Sequence, residues 1–128
     1  VSFECKLKVD LEQTDAEQLE IVLRSGEGKQ TVCTFDFIKS KMSVDRNNSD
    51  GWSKGVSEST LYLQAKKELD IHILSDQSSV EVFANRYRNN HSLNIYAGST
   101  QNETYLCSCG GKTVLKKIEA YGLKECNR

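Results

Sequence analysis

Residues 69–87 read LDIHILSDQSSVEVFANRY. Leu69, Ile71 and Ile73 alternate with Asp70 and His72. After the polar residues Ser75-Asp76-Gln77-Ser78-Ser79, Val80 and Val82 alternate with Glu81 and Phe83. Successive side chains of a strand point to opposite faces, so a period of two marks a strand with one dry face and one wet face. The stretch therefore reads as two strands around a short turn. It also raises a chemical question. Glu81 shares its face with Ser79 and Phe83, opposite the two valines. It is either a solvated residue of an ordinary half-buried strand or part of a polar site.

The same period runs through the chain. Phe3, Cys5, Leu7 and Val9 alternate with Ser2, Glu4, Lys6 and Lys8. Leu19, Ile21 and Leu23 follow it, as do Cys33, Phe35 and Phe37, Met42 and Val44, Leu61 and Leu63, and Leu93, Ile95 and Ala97. Ser25-Gly26-Glu27-Gly28, Asn47-Asn48-Ser49-Asp50-Gly51, Ala97-Gly98-Ser99 and Cys109-Gly110-Gly111 separate these runs with residues that tolerate positive φ. About ten short strands at this spacing predict an all-β, antiparallel two-sheet β-sandwich of jelly-roll type. The length of 128 residues suits one domain, 1–128, with a core of its own. Thr14–Leu19 is the one helix-like stretch, a single turn or nothing. Val114, Ile118, Ala120 and Leu123 fit a closing strand in which Lys116 and Lys117 are solvated at a sheet edge.

The formal net charge is -1, which gives no electrostatic footprint for nucleic acid or an anionic membrane. The apolar runs are far below a membrane span. Val1 opens directly on strand-like sequence, so no signal peptide is read. The cysteines number 5, an odd count that leaves at least one thiol unpaired within the chain. Cys107 and Cys109, two apart, suit neither a local disulfide nor a zinc ribbon, so no metal and no cofactor is expected. A bridge from Cys5 to Cys126 requires the first and last strands to be neighbours; otherwise the thiols act as small buried hydrophobes. Asn47-Asn48-Ser49, Asn90-His91-Ser92 and Asn102-Glu103-Thr104 are glycosylation sequons, which point to an extracellular or cell-surface location.

The residues Asp76, Ser78, Ser79, Val80, Glu81, Val82, Phe83 and Asn85 carry a family resemblance. The segment resembles the C-terminal β-sandwich module of glycoside hydrolase family 32, the invertases, levanases and inulinases. Asp45-Arg46 upstream, Leu93-Asn94-Ile95-Tyr96 and Gly110-Gly111 are similar to that module in the same order. Residues 86–92 depart from it, replacing the family's acidic-Gly hairpin. The family's catalytic residues belong to an N-terminal propeller. Glu4-Cys5 looks like the family's Glu-Cys acid/base motif, but its place at the head of an alternating strand argues for coincidence. The resemblance thus implies a non-catalytic chain.

Some of these sandwiches are similar to family 66 carbohydrate-binding modules, which hold the terminal fructose of fructans. That resemblance implies Glu81, Asp76 and Arg46 as the first sugar contacts. Glu81 and Asp76 would accept hydrogen bonds from hydroxyls, and Arg46 would donate them and orient the acids. Asp45, Ser79 and Asn85 follow, with Trp52 or Tyr96 as an aromatic wall. The alternatives are structural. Val80 and Val82 in the core would leave Glu81 merely solvated. Arg46, in parity with Met42 and Val44, would need an internal carboxylate partner. Asp76 would cap its turn, and Trp52 would be core. His72 reads as a wet-face residue and His91 as a loop residue. The expected function is recognition of a terminal fructoside of levan or inulin. A module that only packs against a propeller of the same parent protein, or a sandwich reused for protein interaction, are the alternatives. Paired carboxylates can also hydrolyse glycosides, but no other element of a catalytic site accompanies these.

Overall fold

The computed structural model describes residues 3–49, 54–63, 66–76, 79–85, 89–94, 103–120 and 123–125. Eleven strands appear among them: β1 (Phe3–Asp10), β2 (Gln18–Gly26), β3 (Lys29–Asp36), β4 (Lys41–Asp45), β5 (Val56–Thr60), β6 (Glu68–Ser75), β7 (Ser79–Ala84), β8 (Asn89–Asn94), β9 (Glu103–Cys109), β10 (Leu115–Glu119) and β11 (Leu123–Glu125). They form two sheets. One has five strands in the order β10-β1-β6-β7-β8, the other six in the order β11-β9-β2-β3-β4-β5. All pairs are antiparallel except β11 with β9.

The dry faces meet between the sheets. Cys5, Leu7, Val9, Leu69, Ile71, Ile73, Val80 and Val82 come from the five-stranded sheet. Leu19, Ile21, Leu23, Cys33, Phe35, Met42 and Val44 come from the other. Each such side chain removed from water contributes about 1.5–3 kcal/mol, and the two alternating sets interdigitate as sandwich faces do.

The registers set the ends of the sandwich. Phe3 pairs with Ser75 and Val32 with Asp45. Asp76, Ser79 and Asp45 therefore lie at one end. The β1–β2, β3–β4 and β5–β6 connections and Asn85 lie at the other, linked by hydrogen bonds from Phe37 N–H to Glu17 O and from Leu61 N–H to Ser40 O.

Several expectations change. Residues 14–17 form no helical turn, because Gln18 already pairs with Asp36 as the first residue of β2. Leu61 and Leu63 follow the strand instead of forming one; the strand is the polar run Val-Ser-Glu-Ser-Thr of β5. The closing segment splits between the sheets, β10 pairing β1 and β11 pairing β9. Cys5 is a buried free thiol facing the core, so it does not bridge to the C-terminal segment. Cys107 is disulfide-bonded instead, while Cys33 and Cys109 are free. His91 stands on β8, not in a loop.

Candidate functional site

β7 places Val80 and Val82 fully in the core, which turns Glu81 to the outer face of the five-stranded sheet. The registers then set Glu81 beside Leu74, and Leu74 beside Glu4. This row crosses three strands at the end of the sheet where Asp76 lies. An open hollow of about 440 Å³ is lined there by Phe3, Glu4, Leu74, Asp76, Ser79 and Glu81. Phe3 and Leu74 give it an apolar wall. Glu4, Asp76 and Glu81 give it three carboxylates.

The turn before β7 is built by its own side chains. Asp76 Oδ1 accepts from Ser79 N–H at 2.9 Å and from Ser79 Oγ–H at 3.0 Å. Asp76 N–H in turn donates to Ser79 O at 3.0 Å. An Asp favours such a turn because its short carboxylate reaches the backbone three residues on. The capping role is thus real, and it also fixes Asp76 and Ser79 at the rim. Ser79, having donated its hydroxyl hydrogen, keeps oxygen lone pairs that can accept from a ligand.

Around Glu4 the face becomes basic and aromatic. His72 Nε2 lies 3.5 Å and Lys6 Nζ 3.7 Å from Glu4 Oε1. The His72 and Phe83 rings are 6.1 Å apart at 43°.

Arg46 and Asp45 occupy the other sheet, at the same end of the sandwich. Arg46 is half-buried; its Nε donates to Lys54 O at 3.1 Å and its N–H to Gly55 O. Asp45 Oδ1 accepts from Asn47 N–H at 2.9 Å, closing the turn after β4. Neither lines the hollow of Glu81. Asn85 sits at the opposite end of β7, buried, with φ 54; its Nδ2 donates to Tyr62 O at 3.2 Å. An Asn accepts this left-handed conformation more readily than most residues, so the position has a structural reason. Trp52 and Tyr96 lie outside the described residues. The sequence thus points to three members that the structure brings together, Asp76, Ser79 and Glu81. Phe3, Glu4 and Leu74 are missed, since only the β1–β6 register reveals them; the one available signal is the shared outward parity of Glu4 and Glu81. Among the described residues no group of His, Cys, Asp and Glu could hold a metal ion.

Residues 1–122 match the model of the family described as glycosyl hydrolases family 32 C terminal. The chain belongs to this family. It is the C-terminal sandwich and does not contain the catalytic propeller. It is 30% identical to a levanase of Bacillus sp. (strain L7), over 96% of this chain and 14% of that one. It superposes on an exo-inulinase from Aspergillus awamori with a TM-score of 0.78 and 26% identity, over 93% of this chain and 24% of that one. The chain therefore spans less than a quarter of either relative. It shares its fold with the carbohydrate binding module CBM66 from Bacillus subtilis, at a TM-score of 0.60 and 7% identity over 91% of this chain and 73% of that one.

Proposed function

We propose that this chain is a non-catalytic module that recognises a terminal fructoside of a fructan such as levan or inulin, within a fructan-active hydrolase. The observation that carries this reading is the convergence of Asp76, Ser79 and Glu81 on one open hollow with Phe3 and Leu74 as its apolar wall. Sugar hydroxyls donate to carboxylates, and the carbon face of a furanose ring needs an apolar surface. The levanase and exo-inulinase relatives support the choice of fructan. Trp52 and Tyr96 remain the proposed aromatic contacts; Arg46 and Asp45 lie at the same end but outside the hollow, and Asn85 supports the fold of β7 from a distance. The Cys107 disulfide favours an oxidising, extracellular setting. Calorimetry with levan, inulin, fructose and sucrose tests the reading. Heat with the fructans, lost in Glu81→Ala, is the expected result; no heat with any of them refutes it.

A second reading has its own observation. Ile38 and Tyr62 are 73% and 48% exposed. They stand on the two connections joined by the Leu61–Ser40 hydrogen bond, at the end away from the hollow. Exposed apolar side chains on two connections tied together by a backbone hydrogen bond are a starting point for an interaction surface. A module that also packs there against a propeller of the same parent would leave the sugar hollow open.

A further inference from the structure

The hollow at Glu81 does not end at Glu4. On the same outer face lies a second hollow of about 240 Å³, whose lining includes Lys6, Lys8, Asp70, His72, Phe83 and Lys117. Its floor is the next cross-strand row, Lys6 beside His72 beside Phe83, two residues along each strand from the row Glu4, Leu74, Glu81. Rows on one face are about 6.7 Å apart, which is comparable with the size of one sugar unit. Glu4 joins the two hollows, since it lines the first and contacts His72 and Lys6 of the second.

The chemistry of the second hollow selects a neutral polyhydroxylated ligand. Its cations are locally compensated: Lys6 by Glu4 at 3.7 Å, Lys8 by Glu68 at 3.9 Å and Lys117 by Glu119 at 2.8 Å. A polyanion would meet as many carboxylates as ammonium groups, and exposed ion pairs of this kind add little stability themselves. They do hold donors and acceptors in place for hydroxyls. Phe83, half-buried and outward, adds the apolar surface.

We propose that the two rows are two consecutive sugar subsites, so that the module binds a fructan oligosaccharide laid along the strands from one row to the next and not only its last residue. The terminal unit occupies the Asp76–Glu81 hollow; the next units lie over Lys6, His72 and Phe83. This rests on the sugar-binding reading of the first hollow.

Titration by NMR of the parent, Phe83→Leu and Glu81→Ala with fructose, a fructan disaccharide and a fructan tetrasaccharide separates the two ideas. The parent is expected to bind the tetrasaccharide at least tenfold more tightly than fructose. In Phe83→Leu that gain shrinks to less than threefold while fructose binding is unchanged. Glu81→Ala weakens all three. The His72 ring resonances of the parent should move with the tetrasaccharide and stay fixed with fructose. Equal affinity for all three lengths, or an unmoved His72, overturns the extended site and leaves the terminal one standing. No binding of any sugar overturns both.

Discussion

His91 and Ser57 join the two sheets at their free margins: the ring Nδ1 lies 2.6 Å from the Ser57 hydroxyl. Ser59, two residues along β5, meets Nε2 at 2.9 Å. β8 is the last strand of the five-stranded sheet and β5 the last of the six-stranded one. Both serines can donate or accept, so a neutral imidazole is satisfied at both nitrogens. Replacing His91 with Ala removes the ring that the Ser57 hydroxyl bonds and one of the contacts of Ser59. The expected cost is about 1–3 kcal/mol, read as a lower urea midpoint.

The same contact makes stability depend on pH. Burial pushes the His91 pKa below its ordinary value. Its neighbours across the gap, Ser57 and Ser59, and its β7 partner Val82 carry no charge. The unfolded chain takes up a proton near pH 6.5 and the folded one only at lower pH. The stabilisation is therefore whole above about pH 6.5 and falls as the pH drops below it. Thermal unfolding scanned from pH 8 to pH 5 should show the decline, and His91→Gln should flatten it.

Asp36 acts at lower pH. Its carboxylate accepts from Lys39 N–H at 2.8 Å, from Gln18 Nε2 at 3.1 Å and from Ile38 N–H at 3.0 Å, and the Lys39 bond is the chief cause of its lowered pKa. This contribution is present above about pH 4 and disappears as the pH falls through the folded value. Asp36→Ala should cost about 1–2 kcal/mol at pH 7 and reduce the acid dependence below pH 4 without touching the His91 transition.

The thiols should sort by burial. Cys5 and Cys33 are both in the core, which pushes each thiol up to about 12. Cys109 is half-buried near Glu20. Since the thiolate is the reactive form, iodoacetamide at pH 8 should label Cys109 in the folded protein and Cys5 and Cys33 only after unfolding. Peptide mass spectrometry reads the order directly.

Two glycines with positive φ should respond differently to Ala. At Gly111, φ +149, an added Cβ would meet the Asp15 carbonyl oxygen at 2.7 Å. At Gly28, φ +75, it would meet nothing within 4 Å. Gly28→Ala should cost about 1–2 kcal/mol from conformation alone. Gly111→Ala should cost clearly more, since backbone has to move as well. Denaturant titration of the two variants compares them.

The core was legible because each inward residue repeats at a period of two, and no choice of partner strand alters that parity. β5 escaped because it has nothing to bury except Ser57 and Ser59; its place is secured by pairing with β4 and by His91. The half of the hollow that is local in sequence, Asp76 to Glu81, could be read from one hairpin. The other half, Phe3 and Glu4, arrives from β1 some seventy residues away, and only strand register brings it there. Arg46 illustrates the limit of parity. It continues the inward series of Met42 and Val44, but the strand ends at Asp45, and the side chain reaches the Lys54 carbonyl.

The margins of the sheets have a bearing on how the molecule behaves in concentrated solution. β10 carries Lys116 and Lys117 and pairs with β1 through an irregularity at Lys8/Val9, while β5 carries Glu58 among hydroxyls. A stranger chain extending either sheet at these two strands would have to dehydrate charge, and at β10 it would meet a ladder that is out of step. Crowding many copies together should therefore not nucleate fibres from these two rims.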